Sequence, residues 1–140
     1  MQLNIIALIL SLIYSYLFGA VWYTIIFKRP WYDLRGVIET KPKFNEELLG
    51  SILAVITFSL SIVGFSLLYT LLQPILTIET TAPGWVHGYV LASFIWVCFI
   101  VPSGLLHVLF VDKPVKLWLI DSFFWFGNLV GVATIISFWR

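Results

Sequence analysis

Few side chains in this 140-residue chain can do chemistry, and the most telling of them stand inside apolar stretches. An ionisable group at mid-helix in a bilayer costs roughly 2.5 to 3.5 kcal/mol and needs a partner or water. Asp121 and His107 are the two that qualify. Asp121 lies about two turns into one apolar stretch and His107 about one turn before the end of the preceding one. The Asp112-Lys113-Pro114 turn between them brings both to similar depth, which predicts a hydrogen-bonded or ionic pair. Asn128 follows Asp121 at a spacing that keeps it on the same helical face, with Gly131 one turn further, so an inward polar line is expected. Such a line reads in two ways: a proton or ion relay, since a paired Asp and His in low dielectric titrate together, or a fastener between two helices. His87 falls just inside the end of its stretch and is expected to be interfacial.

Other chemistries lack their residues. Cys98 is the single cysteine, so neither an intramolecular disulfide nor a CxxC pair can form, and it is expected to be a small core hydrophobe. There is no paired-carboxylate or H-x-x-x-H set and no G-x-S-x-G elbow. The first apolar stretch has no Glu of the kind a small multidrug antiporter requires, and the Arg-rich helices of a membrane glutathione transferase are missing. Neither an enzyme, a metal centre nor a cofactor is expected. A net charge of +1 without any K/R-rich run excludes nucleic acid as a partner.

The elements that position these residues are membrane spans. Hydrophobic residues make up 61% and charged residues 11%, against about 25% charged in a soluble domain. Mean hydropathy is +1.01. The pattern predicts an all-α, four-helix transmembrane bundle in a single integral membrane domain, with spans at about 3–27, 48–72, 85–111 and 115–139. The amino terminus lacks a basic n-region and a small-x-small cleavage site, so the first stretch is expected to be a retained span. A polar loop, 28–47, carries interfacial Trp31 and Tyr32 and room for a short surface helix; Pro74, Pro83 and Gly84 mark the second loop. Pro102, with Ser103 and Gly104, is expected to bend or break the third span. Lys28, Arg29, Arg35, Lys41 and Lys43 in the first loop, with Lys113 and Lys116 in the third, predict that those loops face the cytoplasm. Both termini, with Arg140, then lie on the outer or periplasmic side.

In lipid, close contacts favour small residues. Gly50, Ala54, Thr57, Ser61 and Gly64 form a small stripe on the second span, expected to be the central packing face. Asn4, Ser11, Ser15 and Gly19 run along the first span, and Gly127 and Gly131 make a G-x-x-x-G in the fourth. These faces serve packing within the bundle or an oligomer interface. Aromatics, 18% of residues, place Trp22, Tyr23, Trp31 and Tyr32 at the inner boundary and Trp85, Tyr89 and Trp139 at the outer one. Trp96, Trp118, Phe123, Phe124 and Trp125 lie elsewhere, as core, as lipid contact, or as the lining of a groove for a lipid or other hydrophobic ligand.

Gly19-Ala20-Val21-Trp22-Tyr23, followed by Phe27, Lys28 and Trp31, resembles the G-x-x-W-Y and F-x-K-x-W pattern closing the first helix in a family of small bacterial membrane proteins. The Pro102 helix, the turn at Lys113 and Pro114, and Lys116-Leu117-Trp118-Leu119-Ile120-Asp121 are similar to that family too. It is the group called domain of unknown function 1761. The resemblance spans nearly the whole chain, implies a four-helix protein of the bacterial inner membrane, and points to Gly19, Trp22, Tyr23, Trp31 and Asp121. It brings no biochemical activity. Gly19 also has a physical account, close helix approach below Trp22 and Tyr23, whose polar tips suit the headgroups.

Two functions are expected from these readings. One is a non-enzymatic structural or accessory membrane protein, as a homo-oligomer or with other membrane subunits. The other is a small channel or transporter for protons, ions or a small solute, built on Asp121, His107 and Asn128.

Overall fold

The computed structural model describes residues 4–36, 44–79 and 82–139, with the backbone alone at 76–79. Lys41, Lys43 and Arg140, on which the orientation reading partly rests, lie outside the described residues. Among the described residues the chain is helical without strands. Four helices are long and apolar enough to cross a membrane: Ile5–Ile26, Phe44–Ile75, Gly84–Phe110 and Val115–Phe138, with mean hydropathies of 2.1, 2.3, 2.1 and 1.6. The described residues form six α-helical segments, α1 (Ile5–Val21), α2 (Lys28–Arg35), α3 (Phe44–Glu79), α4 (Gly84–Ile95), α5 (Val101–Phe110) and α6 (Val115–Phe138), of which all but α2 contribute to the spans.

Asn4 caps α1 by accepting from the backbone N–H groups of Ile6 (3.0 Å) and Ala7 (3.3 Å). Its amide also donates to the carbonyl of Trp139 at 2.6 Å, so both chain ends meet at one end of the bundle. The other end carries Lys28, Arg29, Arg35, Lys113 and Lys116, and is the basic end. There α2 is the short helix for which the polar loop had room, closed by Gly36 in the left-handed region (φ 63°).

Two single-turn π segments interrupt the spans, Trp22–Ile26 after α1 and Trp96–Ile100 between α4 and α5. The second lies just ahead of Pro102. Proline lacks the N–H that would continue the α ladder, and the wider turn carries the chain past it: the span is reshaped, not broken. Ser103 Oγ donates back to the Ile100 carbonyl at 3.0 Å. Pro74 does less than expected, for α3 continues through it to Glu79 instead of ending before Gln73. Proline is tolerated inside long membrane helices because neighbouring groups satisfy the freed backbone.

The most enclosed helix is α6, flanked by α1 on one side and α4 on the other, while α3 closes the bundle mainly against α1. The core joins Ile62, Phe65 and Tyr69 of α3, Leu91 and Ala92 of α4, and Leu129, Val132, Ala133 and Ile136 of α6. This corrects the expected packing face of α3. Gly50, Thr57 and Gly64 are exposed, Ala54 and Ser61 half-buried, and a side chain added at Gly50 or Gly64 would meet nothing within 4 Å. The enclosed small-residue face belongs to α1, where Ala7, Ser11 and Ser15 recur every fourth residue and are buried. On α6, Gly127 and Gly131 are notches filled by the rings of Phe18 and Tyr14 from α1, and the Tyr14 hydroxyl donates to the Gly127 carbonyl at 3.1 Å. Cys98 is exposed on the outside of the second π segment, not in the core. His87 is buried (3% exposed) where α4 packs on its neighbours.

Candidate functional site

Each π segment opens with a tryptophan whose indole N–H reaches α6. Trp22 Nε1 donates to the Ile120 carbonyl at 3.2 Å, and Trp96 Nε1 donates to the Ser122 carbonyl at 2.9 Å and to Ser122 Oγ at 3.1 Å. Residues two apart on a helix point to nearly opposite sides. The two tryptophans therefore clamp α6 from both flanks, one residue either side of Asp121. A tryptophan N–H inside an apolar bundle is costly to leave unpaired, which favours these bonds. Trp22 is thus a packed side chain, its ring tilted against those of Phe18, Phe27 and Phe124.

Between the clamps, Asp121 uses both carboxylate oxygens within the chain. Oδ1 accepts from the Tyr23 hydroxyl at 3.0 Å and Oδ2 from Lys113 Nζ at 2.6 Å, the lysine and aspartate side chains being 26% and 29% exposed. Lys113 is delivered by the turn after α5, where Asp112 takes a positive φ of 52° and the Val111 and Lys113 N–H groups bond the His107 carbonyl. Aspartate is among the few non-glycine residues that adopt this region readily. The expected Asp121–His107 pair does not form. His107 is exposed and its Nδ1 lies 2.9 Å from the Ser103 carbonyl. A carbonyl only accepts, so Nδ1 carries the hydrogen in this contact.

Around these groups, at the basic end, lies a chamber of about 600 Å³. Its polar lining is Tyr23, Arg35, Ser103, His107, Lys113, Asp121 and Ser122, and its apolar lining includes Trp31, Ile100, Leu117, Trp118 and Trp125. Arg35 lies over the Trp31 ring, 4.4 Å from its centre, and Trp31 meets Tyr23 edge-on at 5.4 Å. Arg35, Trp31, Tyr23, Asp121 and Lys113 thus form one continuous chain of contacts from α2 to α6. With Asp121 neutralised by Lys113, the guanidinium of Arg35 leaves the chamber an excess of one positive charge.

Of the residues singled out in the sequence, Asp121, His107, Tyr23, Trp31 and Trp118 share this chamber. Asn128 does not. It is 1% exposed, deeper in α6, and its Oδ1 has no hydrogen-bond partner among the described residues, as is also true of Ser11 and Ser15 Oγ. Trp118 Nε1 is likewise buried without a partner, and its ring lies where a side chain at Gly104 would have to go. Sequence reasoning missed Arg35 and Lys113 as site residues. Lys113 had a readable signal: a long side chain beside a turn reaches back along the helix it precedes. Arg35 had none, since its place depends on α2 folding back under the bundle. A model of the family described as "Protein of unknown function (DUF1761)" matches residues 6–137. The chain belongs to this family. No curated protein and no solved structure matches it. The match takes in the chamber and both tryptophan clamps, so the site lies within the family's span.

Proposed function

We propose that this family member is a non-enzymatic, accessory-type membrane protein that holds a small amphiphilic ligand in the chamber at its basic end. One observation carries the reading: the polar lining stops at Trp125, and beyond it the buried side chains of α6 are Leu129, Val132, Ala133 and Ile136, with Asn128 the one polar residue among them and outside the chamber. A chamber that is open at one end and backed by a largely apolar core suits binding; a conduction path needs polar groups in a continuous line through to the other side. Asp121, with both oxygens engaged inside the chain, serves in this reading as a fastener between the first span and the last. Self-association loses its motivation at Gly127 and Gly131, whose notches are filled from within the chain, and keeps it only along α3. In this reading the chamber faces the cytoplasm, which the basic residues at its end support, and the membrane is a bacterial inner membrane, as the family resemblance implies.

The test is native mass spectrometry of the full chain extracted in a mild detergent. A small adduct at one per chain is expected, weakened in Arg35→Glu at an unchanged melting temperature. Absence of any adduct from the wild-type protein would overturn the reading.

A further inference from the structure

A second cavity, a groove of about 620 Å³, runs between α1 and α3 and is lined chiefly by small and apolar groups, among them Gly19, Gly50, Ala54 and Phe58. Tyr23 and Trp125 line both this groove and the chamber, so the two cavities meet at those rings. On α3 the groove extends from Glu47 to Phe58, roughly 16 Å at 1.5 Å per residue, from the basic end towards the middle of the bundle. We infer that the occupant is a phospholipid of the surrounding bilayer, its anionic phosphate head in the chamber against Arg35 and Lys113 and one acyl chain laid past Tyr23 and Trp125 into the groove. This rests on the reading of the chamber as a ligand site and names its ligand class.

Charge sets the direction. The chamber holds Arg35 and Lys113 against the single carboxylate Asp121, whereas Glu47 is the charged residue on the groove side. An anionic head is attracted to the chamber and repelled from the groove, and a planar guanidinium suits phosphate oxygens. The groove supplies what an acyl chain needs: a cleft beside the small residues of α3, which the bundle leaves uncovered by its own side chains. The small-residue stripe thus gains a use other than helix packing.

The test uses the full chain, stripped of lipid in detergent, titrated with phosphatidylglycerol and separately with its soluble head, glycerophosphoglycerol. Binding is read from tryptophan emission, since Trp31, Trp118 and Trp125 line the chamber, and the lipid's stoichiometry from native mass spectrometry. Arg35→Gln should weaken both ligands by about tenfold, the worth of one charge-assisted hydrogen bond. Ala54→Phe, which fills the groove, should weaken the lipid by about tenfold and leave the soluble head unchanged. Thr57→Phe repeats the measurement at a more exposed groove position should Ala54→Phe lower the melting temperature. Lipid binding indifferent to both groove variants, or a groove covered by a second copy of the chain so that Ala54→Phe dissociates a dimer, would overturn the inference while leaving the chamber as a ligand site. Binding of neither ligand would overturn both.

Discussion

At the residue scale the buried polar groups divide into those that find a partner among the described residues and those that do not. Tyr23 donates to Asp121 and loses that bond in Tyr23→Phe, a change that keeps the ring and its packing against Phe124. Removing one hydrogen bond to a charged acceptor should cost about 1 to 2 kcal/mol in denaturant unfolding from detergent micelles. Asn128 presents the opposite case, for its Oδ1 is buried without a partner. Asn128→Leu removes an unsatisfied group at similar volume, so stability should hold or rise by about 1 kcal/mol; a loss comparable to that of Tyr23→Phe would show that Asn128 has a partner this account misses. The sequence made Asp121 stand out because carboxylates are rare inside spans. Its partner was misplaced because depth alone favoured His107, whereas reach decided: Lys113 folds back from the turn, and Tyr23 arrives from ninety-eight positions earlier in the chain.

The helices show a different division between what is legible and what is not. Span positions could be read because bilayer thickness fixes their length. Packing faces could not be read from hydropathy, because lipid is as apolar as the bundle interior and nothing drives one apolar face inward over another. Small residues were the remaining guide, and they identified the notches on α6 but misread α3, whose Gly and Thr line a groove. The two kinds of glycine can be told apart by experiment. Gly131→Ala forces the Tyr14 ring to move and should cost about 1 to 3 kcal/mol by overpacking. Gly64→Ala meets open space and should be neutral or stabilising by about 0.5 to 1 kcal/mol through helix propensity. Equal costs at the two sites would mean that α3, not α6, carries the packing face. The π segments were not legible at all, since one extra residue in a turn leaves the residue types unchanged. Their effect is large nonetheless: they turn Trp22 and Trp96 onto α6, and Trp96→Phe should cost about 1 kcal/mol and speed amide exchange around Ser122.

At the scale of the whole molecule, the bundle is asymmetric along its axis. One end is tied by Asn4 and Trp139 and by the Tyr69 hydroxyl bonded to the Gly84 carbonyl at 2.8 Å; the other carries the charged chamber. With the basic end facing the cell interior, as proposed, a single cysteine at Lys116, in a Cys98→Ser background, should resist an impermeant thiol reagent applied from outside, while one at Trp139 should react. The reverse pattern would invert the protein in its membrane. The central claim is that Asp121 fastens the spans around a binding chamber and conducts nothing. Proteoliposomes containing the wild-type chain or Asp121→Asn, assayed for proton, cation and anion flux and for thermal unfolding on the same preparations, test it most directly. The account predicts no flux in either and an Asp121→Asn protein destabilised by about 1 to 3 kcal/mol; wild-type flux that disappears in Asp121→Asn with stability unchanged would contradict it.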